Sequence, residues 1–504
     1  MSLKKNVFAN YLGQGWTALM GLAFVPLYIK YLGMEAYGLI GVFAILQAWL
    51  TLLDMGMTPT LGRELARFTA GAHTAQSIHN LLRSLEILCV AVAVLMVGSV
   101  WAVSGWLADA WLRADKLPTA VVAQAIAIMA IVIALRFVES VYRSALIGLQ
   151  KQVWYNAANA AIATLRSLGA IAVLAWVSPS AEAFFLWQAF VSLLTVIILA
   201  MGVRQNLPAP PTPPVFSTQA LTGVWGYARG MALITLLSLL LTQVDKVLLS
   251  RLLSLDAFGI YTLAATVSGA LYMVITPITT AIYPRFVELS SRQESAALIS
   301  TYHQGAQFLT VLTAPMAIVL ALFGEGVLFT WSGDASLAHA AGPILSLLAL
   351  GTFLNGLMFL PYHLQLAYGW TSLTIKINTV AVVLLIPAIL WAVPLFGAVA
   401  AAWVWVLLNM GYLLVGAQLM HRKLLRNDKW NWYIFDLLLP VSGASIFMLL
   451  IAYFKPQGYF DRWHWLGFLL CTLLLGMVGA CLSSTKIRPR ILTIFRGPCP
   501  DQRT

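Results

Sequence analysis

YLGMEAYG, residues 31–38, falls between two apolar stretches near the start of the chain, and LSLDAFG, residues 253–259, repeats its ending much later. Glu35-Ala36-Tyr37-Gly38 aligns with Asp256-Ala257-Phe258-Gly259 at an offset of 221 (256 − 35). A second anchor follows each copy: Thr58-Pro59 precedes Arg67-Phe68 by the same spacing as Thr276-Pro277 precedes Arg285-Phe286. Two anchors in the same order predict duplication of a six-helix unit. Both units start on the same side of the membrane, which makes the repeats parallel and relates them by an axis along the membrane normal, with a path between the lobes.

Composition sets the solvent. Residues of the AVILMFWYC set make up 61% of the 504, and 10% are charged, against roughly a quarter charged in soluble domains. Apolar runs of the ~20 residues that a spanning helix needs recur from end to end. The fold class read from this is all-α integral membrane. Fourteen spans are predicted, near 8–29, 36–57, 84–106, 119–141, 154–177, 182–203, 224–249, 257–280, 303–323, 341–360, 373–394, 397–419, 431–453 and 464–482. The shortest separations are 178–181 and 394–397. The first span is read as retained, since no small-residue cleavage site follows it.

These spans divide the chain into an N-terminal six-helix lobe (1–206), a linker (207–223), a second six-helix lobe (224–420), two further helices (421–485) and a tail (486–504). LPAPPTPPVF, 207–216, reads as a stiff cytoplasmic linker. With the N-terminus inside, Arg63, Arg67, Arg143, Lys151, Arg285, Arg292 and the cluster HRKLLRNDK (421–429) all become cytoplasmic. Lys30, Arg113, Lys116, Arg251, Lys455 and Arg462 fall on the other side. That bias predicts both termini in the cytoplasm, and it explains the net charge of +12 without nucleic acid. Cys89, Cys471, Cys481 and Cys499 lack metal spacing, and neither disulfides, metals nor cofactors are expected.

Polar residues inside spans are expensive in lipid and mark candidate pathways. On the span 154–177 a stripe runs Gln152, Asn156, Asn159, Ala163, Arg166, Ala170. Arg166 sits twelve residues in, about 18 Å at 1.5 Å per residue, too deep for easy snorkelling in a core ~30 Å thick. A guanidinium there suits a phosphate or pyrophosphate, which it engages bidentately, or else an ion pair with a neighbouring helix. Asn10, Gln14 and Thr17 share a face of the first span, and Gln47, Thr51, Asp54 and Thr58 one of the second. Such faces line a watery path or form interhelical hydrogen-bond seams. Arg136, Glu139 and Arg143, at i, i+3 and i+7, read as a local ion-pair ladder. Thr235, Ser238, Thr242 and Asp245 line one side of the seventh span, with Arg229 nearly opposite. The substrate candidates are thus Arg166, Arg229, Arg136, Asn159, Gln14 and Asn10, and the ion-coupling candidates Asp54, Glu139 and Asp245. The basic excess within the spans favours an anionic substrate.

LLDMGMTPTLGRELARF (52–68) and TQVDKVLLSRLLSLDAFGIYTLA (242–264) resemble the polysaccharide flippases of the multidrug/oligosaccharidyl-lipid/polysaccharide exporter superfamily, which include the Wzx-type flippases for O-antigen units. The resemblance implies two six-helix lobes around a central cavity, the last two helices packed outside, and rocking between inward-open and outward-open states. It implies a cargo, a polyprenyl-pyrophosphate-linked oligosaccharide, carried to the periplasmic leaflet of a bacterial inner membrane. The same resemblance allows a polysaccharide polymerase and a chain-length regulator as protein partners. A drug/cation antiporter or a lipid II flippase is the alternative within the superfamily, the former expected to line its cavity with carboxylates. A membrane polysaccharide polymerase is the alternative of another class. The outer loops 109–119, 324–340 and 455–465 are short and carry unpaired acids, and the chain shows no nucleophile motif, phosphate loop or metal-ligand cluster. The histidines stand apart from one another and read as surface or interface residues.

Overall fold

The computed structural model describes residues 3–50, 57–69, 73–218, 239, 243–370, 372–453 and 461–489, with the side chains at 3–11, 50, 59, 66 and 284 left out of the description. Helices α1 (Leu3–Ala23), α2 (Val25–Leu32), α3 (Met34–Leu50) and α4 (Met57–Thr69) open the chain. They are followed by α5 (Ala75–Trp111), α6 (Thr119–Gly148), α7 (Gln152–Trp176), α8 (Ala181–Asn206) and α9 (Leu255–Ser291). The remainder are α10 (Ser295–Leu322), α11 (Gly324–Ser332), α12 (Ala335–Ala367), α13 (Ser372–Leu424), α14 (Lys429–Tyr453) and α15 (Arg462–Ser483). Among the described residues, eleven helices are long and apolar enough to cross a membrane, and Met34–Trp49 is a shorter apolar helix. The predicted span 224–249 lies for most of its length outside the described residues. This is a multi-pass, all-α membrane protein.

The chain divides into two compact units, Met1–Gly259 and Ile260–Thr504. In unit 1, α6 is the most buried span and packs against α4, α5 and α8, while α1 lies along α7. Helix α5 starts at Ala75, earlier than the predicted 84, because its first three turns mix buried Ile78, Leu81 and Leu82 with polar residues that have a separate task. Thr74 caps it, accepting from Ser77 N at 3.2 Å. Gln76, Asn80 and Ser84, at i, i+4 and i+8, then accept from the backbone N–H groups of Thr212 (3.1 Å), Val215 (3.1 Å) and Ser217 (2.8 Å). The Pro-rich linker has no internal hydrogen bonds to offer its own N–H groups, and this ladder supplies them.

The two repeated motifs meet inside unit 1. Glu35 is buried and accepts from the backbone N–H of Asp115 (2.6 Å) and Lys116 (3.0 Å). Lys116 Nζ reaches Asp256 Oδ1 at 3.4 Å, and Leu255 N donates to Arg113 O at 2.8 Å. A methyl group added at Gly38 would run into the carbonyl oxygen of Leu255, and one at Gly259 would stand 2.6 Å from that of Met34. Each motif ends in glycine because its last residue lies against the backbone of the other.

In unit 2, α10 and α12 are the most buried spans, surrounding Phe286, Tyr302, Phe353 and Trp432. The predicted spans 373–394 and 397–419 are two helices, together labelled α13, that meet at a kink at Gly397, whose φ of 66° and ψ of −153° are open only to glycine among ordinary residues. Helices α14 and α15 pack on each other and on α10.

Candidate substrate-binding site

Unit 1 gathers three of the predicted charges between α6 and α7. Arg136 Nη1 donates to Gln47 Oε1 of α3 (2.7 Å), and Nη2 donates to Gln188 Oε1 of α8 (3.2 Å). Its guanidinium also lies over the Phe43 ring, 5.0 Å from the centroid. Both acceptors are neutral amides, and among the described residues Arg136 makes no salt bridge. The predicted ladder of Arg136, Glu139 and Arg143 does not form. Glu139 instead turns across to α7, where its Oε2 stands 4.0 Å from Arg166 Nη2, while Arg143 is exposed. Sequence spacing gave the local pairing undue weight, since burial against α7 makes the interhelical partner the nearer one.

The cluster is short of acceptors. Arg136 Nε, Arg166 Nε and Arg166 Nη2 are buried and without a hydrogen-bond partner, and so is Glu139 Oε2. Among the described residues Arg166 has one carboxylate beside it, Glu139, Arg136 has none within 4.0 Å, and at least three guanidinium N–H groups are unused. Buried polar groups are ordinarily satisfied, so a multivalent anion with several acceptor oxygens is the chemical complement of this arrangement.

Most of the remaining stripe on α7 is spent on α1. Asn159 Nδ2 donates to Thr17 Oγ1 (3.1 Å), Thr17 Oγ1 donates to Gly13 O (2.8 Å), and Trp16 Nε1 donates to Thr164 Oγ1 (2.9 Å). Asn156 packs directly against Gly13. Asn159 therefore belongs to a helix–helix seam, as polar residues in membrane interfaces commonly do. Gln14 is exposed. The Asn10 side chain, Arg229 and Asp54 lie outside the described residues. Asp245 is half-buried, away from the α6–α7 cluster in sequence, and its Oδ1 has no hydrogen-bond partner.

One network escaped the sequence. His303 is buried in α10, with Nδ1 against Asp436 Oδ2 of α14 and Nε2 3.5 Å from Asp428 Oδ1. Gln307, one turn on, donates to Asp436 Oδ1 (2.8 Å) and Thr485 Oγ1 (2.9 Å) and accepts from Ser484 Oγ (2.6 Å) and Lys486 N (2.8 Å). The His-x-x-x-Gln spacing on one helix face was the available signal. The network fastens α14 and the end of α15 to α10.

Residues 3–290 match the polysaccharide biosynthesis protein family. The chain is 21% identical over 407 residues to the "Putative O-antigen transporter" of Shigella flexneri, covering 80% of this chain and 94% of that one. In fold it is similar to the lipid II flippase MurJ in an inward-closed conformation, at a TM-score of 0.72 and 13% identity over 97% of this chain and 99% of that one. It is also similar to an inward-facing multidrug resistance MATE family transporter of the MOP superfamily, at a TM-score of 0.64 and 14% identity, covering 81% and 94%.

Proposed function

We infer the function from one premise: the chain belongs to the polysaccharide biosynthesis protein family. We propose that it is a flippase that carries a polyprenyl-pyrophosphate-linked oligosaccharide from the cytoplasmic to the periplasmic leaflet of a bacterial inner membrane by alternating access, with both termini in the cytoplasm. The observation that carries this reading is the α6–α7 cluster, where the unused donors of Arg136 and Arg166 outnumber the acceptors of Glu139. A pyrophosphate offers the missing oxygens, and Arg166 engages it through its planar fork. Glu139 holds Arg166 while the site is empty and yields it to the anion. The sugar headgroup crosses beside this cluster and the lipid tail stays in the hydrocarbon.

The test is reconstitution. Purified protein in vesicles should move a fluorescent polyprenyl-pyrophosphate oligosaccharide from one leaflet to the other, with inorganic pyrophosphate competing. Movement of a lipophilic cation under the same conditions, with none of the lipid-linked sugar, would replace this reading with antiport. Reporter fusions at Lys151 and Lys423 should read cytoplasmic and one at Lys116 periplasmic.

A further inference from the structure

His303, on α10, meets a carboxylate at each of its ring nitrogens. Nδ1 lies against Asp436 Oδ2, and Nε2 stands 3.5 Å from Asp428 Oδ1. The side chains of His303 and Asp436 are 9% and 1% exposed, while that of Asp428, in the turn between α13 and α14, is 19% exposed and leads outward. Nε2 is buried and makes no hydrogen bond. Asp436 belongs to a π-helical turn, Trp432–Leu438, a rare geometry that is frequent at functional sites. The transport reading above makes no use of these residues.

A proton count defines the state of the ring. The backbone N–H of Lys486 donates to Gln307 Oε1 at 2.8 Å, which fixes that amide. Gln307 Nε2 therefore donates to Asp436 Oδ1 at 2.8 Å, so this oxygen is an acceptor. A neutral imidazole carries one N–H. Pointed at Asp436, it leaves the bare Nε2 lone pair facing the Asp428 carboxylate. Pointed at Asp428, it leaves Nδ1 and Oδ2 as two acceptors in contact. Both contacts are met only with one proton more than a neutral ring and two carboxylates hold. His421, in the same core, is the contrast: its Nδ1 lies 2.8 Å from Ala417 O and its Nε2 3.3 Å from the Tyr302 hydroxyl, neighbours that a neutral ring serves. The other titratable groups around the cluster are Tyr302 on α10, Lys429 and Tyr433 on α14, and the exposed Lys486 beyond α15. Among the described residues, α9, α11 and α12 bring no carboxylate within salt-bridge distance of the ring.

We propose that His303, Asp436 and Asp428 form a proton-binding site, whose extra proton belongs to the group as a whole and clamps the start of α14 to α10. The clamped protein binds more protons than a form with α14 released, so release grows easier as the pH rises beyond about 6.5, the ordinary histidine value. Hydrogen–deuterium exchange of the full-length protein in nanodiscs, followed by mass spectrometry, reads this directly. It is run at about pH 6 and about pH 9, with exchange times scaled for base catalysis. Protection of segment 428–436 should fall about tenfold at the higher pH, the equivalent of one pKa unit. The reference is segment 126–134 of α6, which contains no titratable residue. Asp428→Asn supplies an amide N–H that a neutral Nε2 can accept, and should hold the protection of 428–436 level across the two pH values. His303→Gln has nothing to titrate in this range and should also be level, whatever its absolute protection. A level response in the unmodified protein overturns the proposal without need of any variant. So does a response in Asp428→Asn or His303→Gln equal to that of the unmodified protein, which would place the titrating group elsewhere.

Discussion

Arg166 Nη2 stands 4.0 Å from Glu139 Oε2 where α7 packs on α6, and neither atom makes a hydrogen bond. At that separation, with an effective dielectric near 20, the attraction is about 4 kcal/mol, while desolvation costs several kcal/mol for each ion. With Arg136 adding a second buried cation, the cluster is not stabilised by its own ion pair. If it exists to meet an anion, Arg166→Ala should insert at normal abundance and lose delivery of lipid-linked sugar, and Arg166→Lys should keep part of it. Complementation normalised to membrane protein level checks this. A purely structural arginine would instead show reduced abundance, restored by adding Glu139→Ala.

Arg136 is clamped by two neutral amides. Gln188→Leu removes the Nη2 acceptor at 3.2 Å and should cost about 1.5–3 kcal/mol, the range for hydrogen bonds to charged groups. Thermal unfolding in detergent reads the loss. An unchanged midpoint would mean that another group, such as Gln47, takes over the whole guanidinium.

Gly38 and Gly259 leave no room for a side chain, because each faces a backbone carbonyl that cannot rotate away. Alanine at either position should destabilise by about 1–3 kcal/mol through forced backbone shifts. Gly98 in α5 has nothing within 4 Å of its missing methyl, so Gly98→Ala should be neutral or mildly stabilising. Equal effects at all three positions would show that the cost is general to these helices.

The His303–Asp436 contact gives a double-mutant prediction. His303→Leu strands the Asp436 carboxylate in a buried setting and should cost about 3–5 kcal/mol, whereas His303→Leu with Asp436→Leu should cost less than the single change. Melting of the detergent-purified variants, with limited proteolysis near residue 489, reports whether α14 and α15 have loosened. Additive losses would place the two residues in separate roles.

The spans were legible because a bilayer forces every spanning helix to write about twenty apolar residues in a row. Even the weak separations at 178–181 and 394–397 had physical markers, a Ser180 cap and a proline followed by Gly397. Arg166 was legible as an expensive residue, but its partner was assigned to a ladder, because spacing reports neighbours along one helix and is silent about the next. His303 and Asp436 lie 133 residues apart, and no periodicity connects them. The start of α5 interrupts its apolar residues with polar ones, so its service to the linker through Gln76, Asn80 and Ser84 became visible only once both segments were placed.

The meeting of the two motifs has a consequence for how such a chain arises. Gly38 lies against Leu255, and Gly259 against Met34. Under the offset of 221, Gly38 corresponds to Gly259 and Met34 to Leu255 (38 + 221 = 259; 34 + 221 = 255). One contact is therefore the other with its partners exchanged, which is the definition of an isologous contact. A surface of that kind is self-complementary: a single copy of the turn already contains both the glycine recess and the carbonyl that fills it. A chain carrying one copy alone would present everything needed to pair with a second molecule of itself, and joining two such chains would have required no new contact at this point.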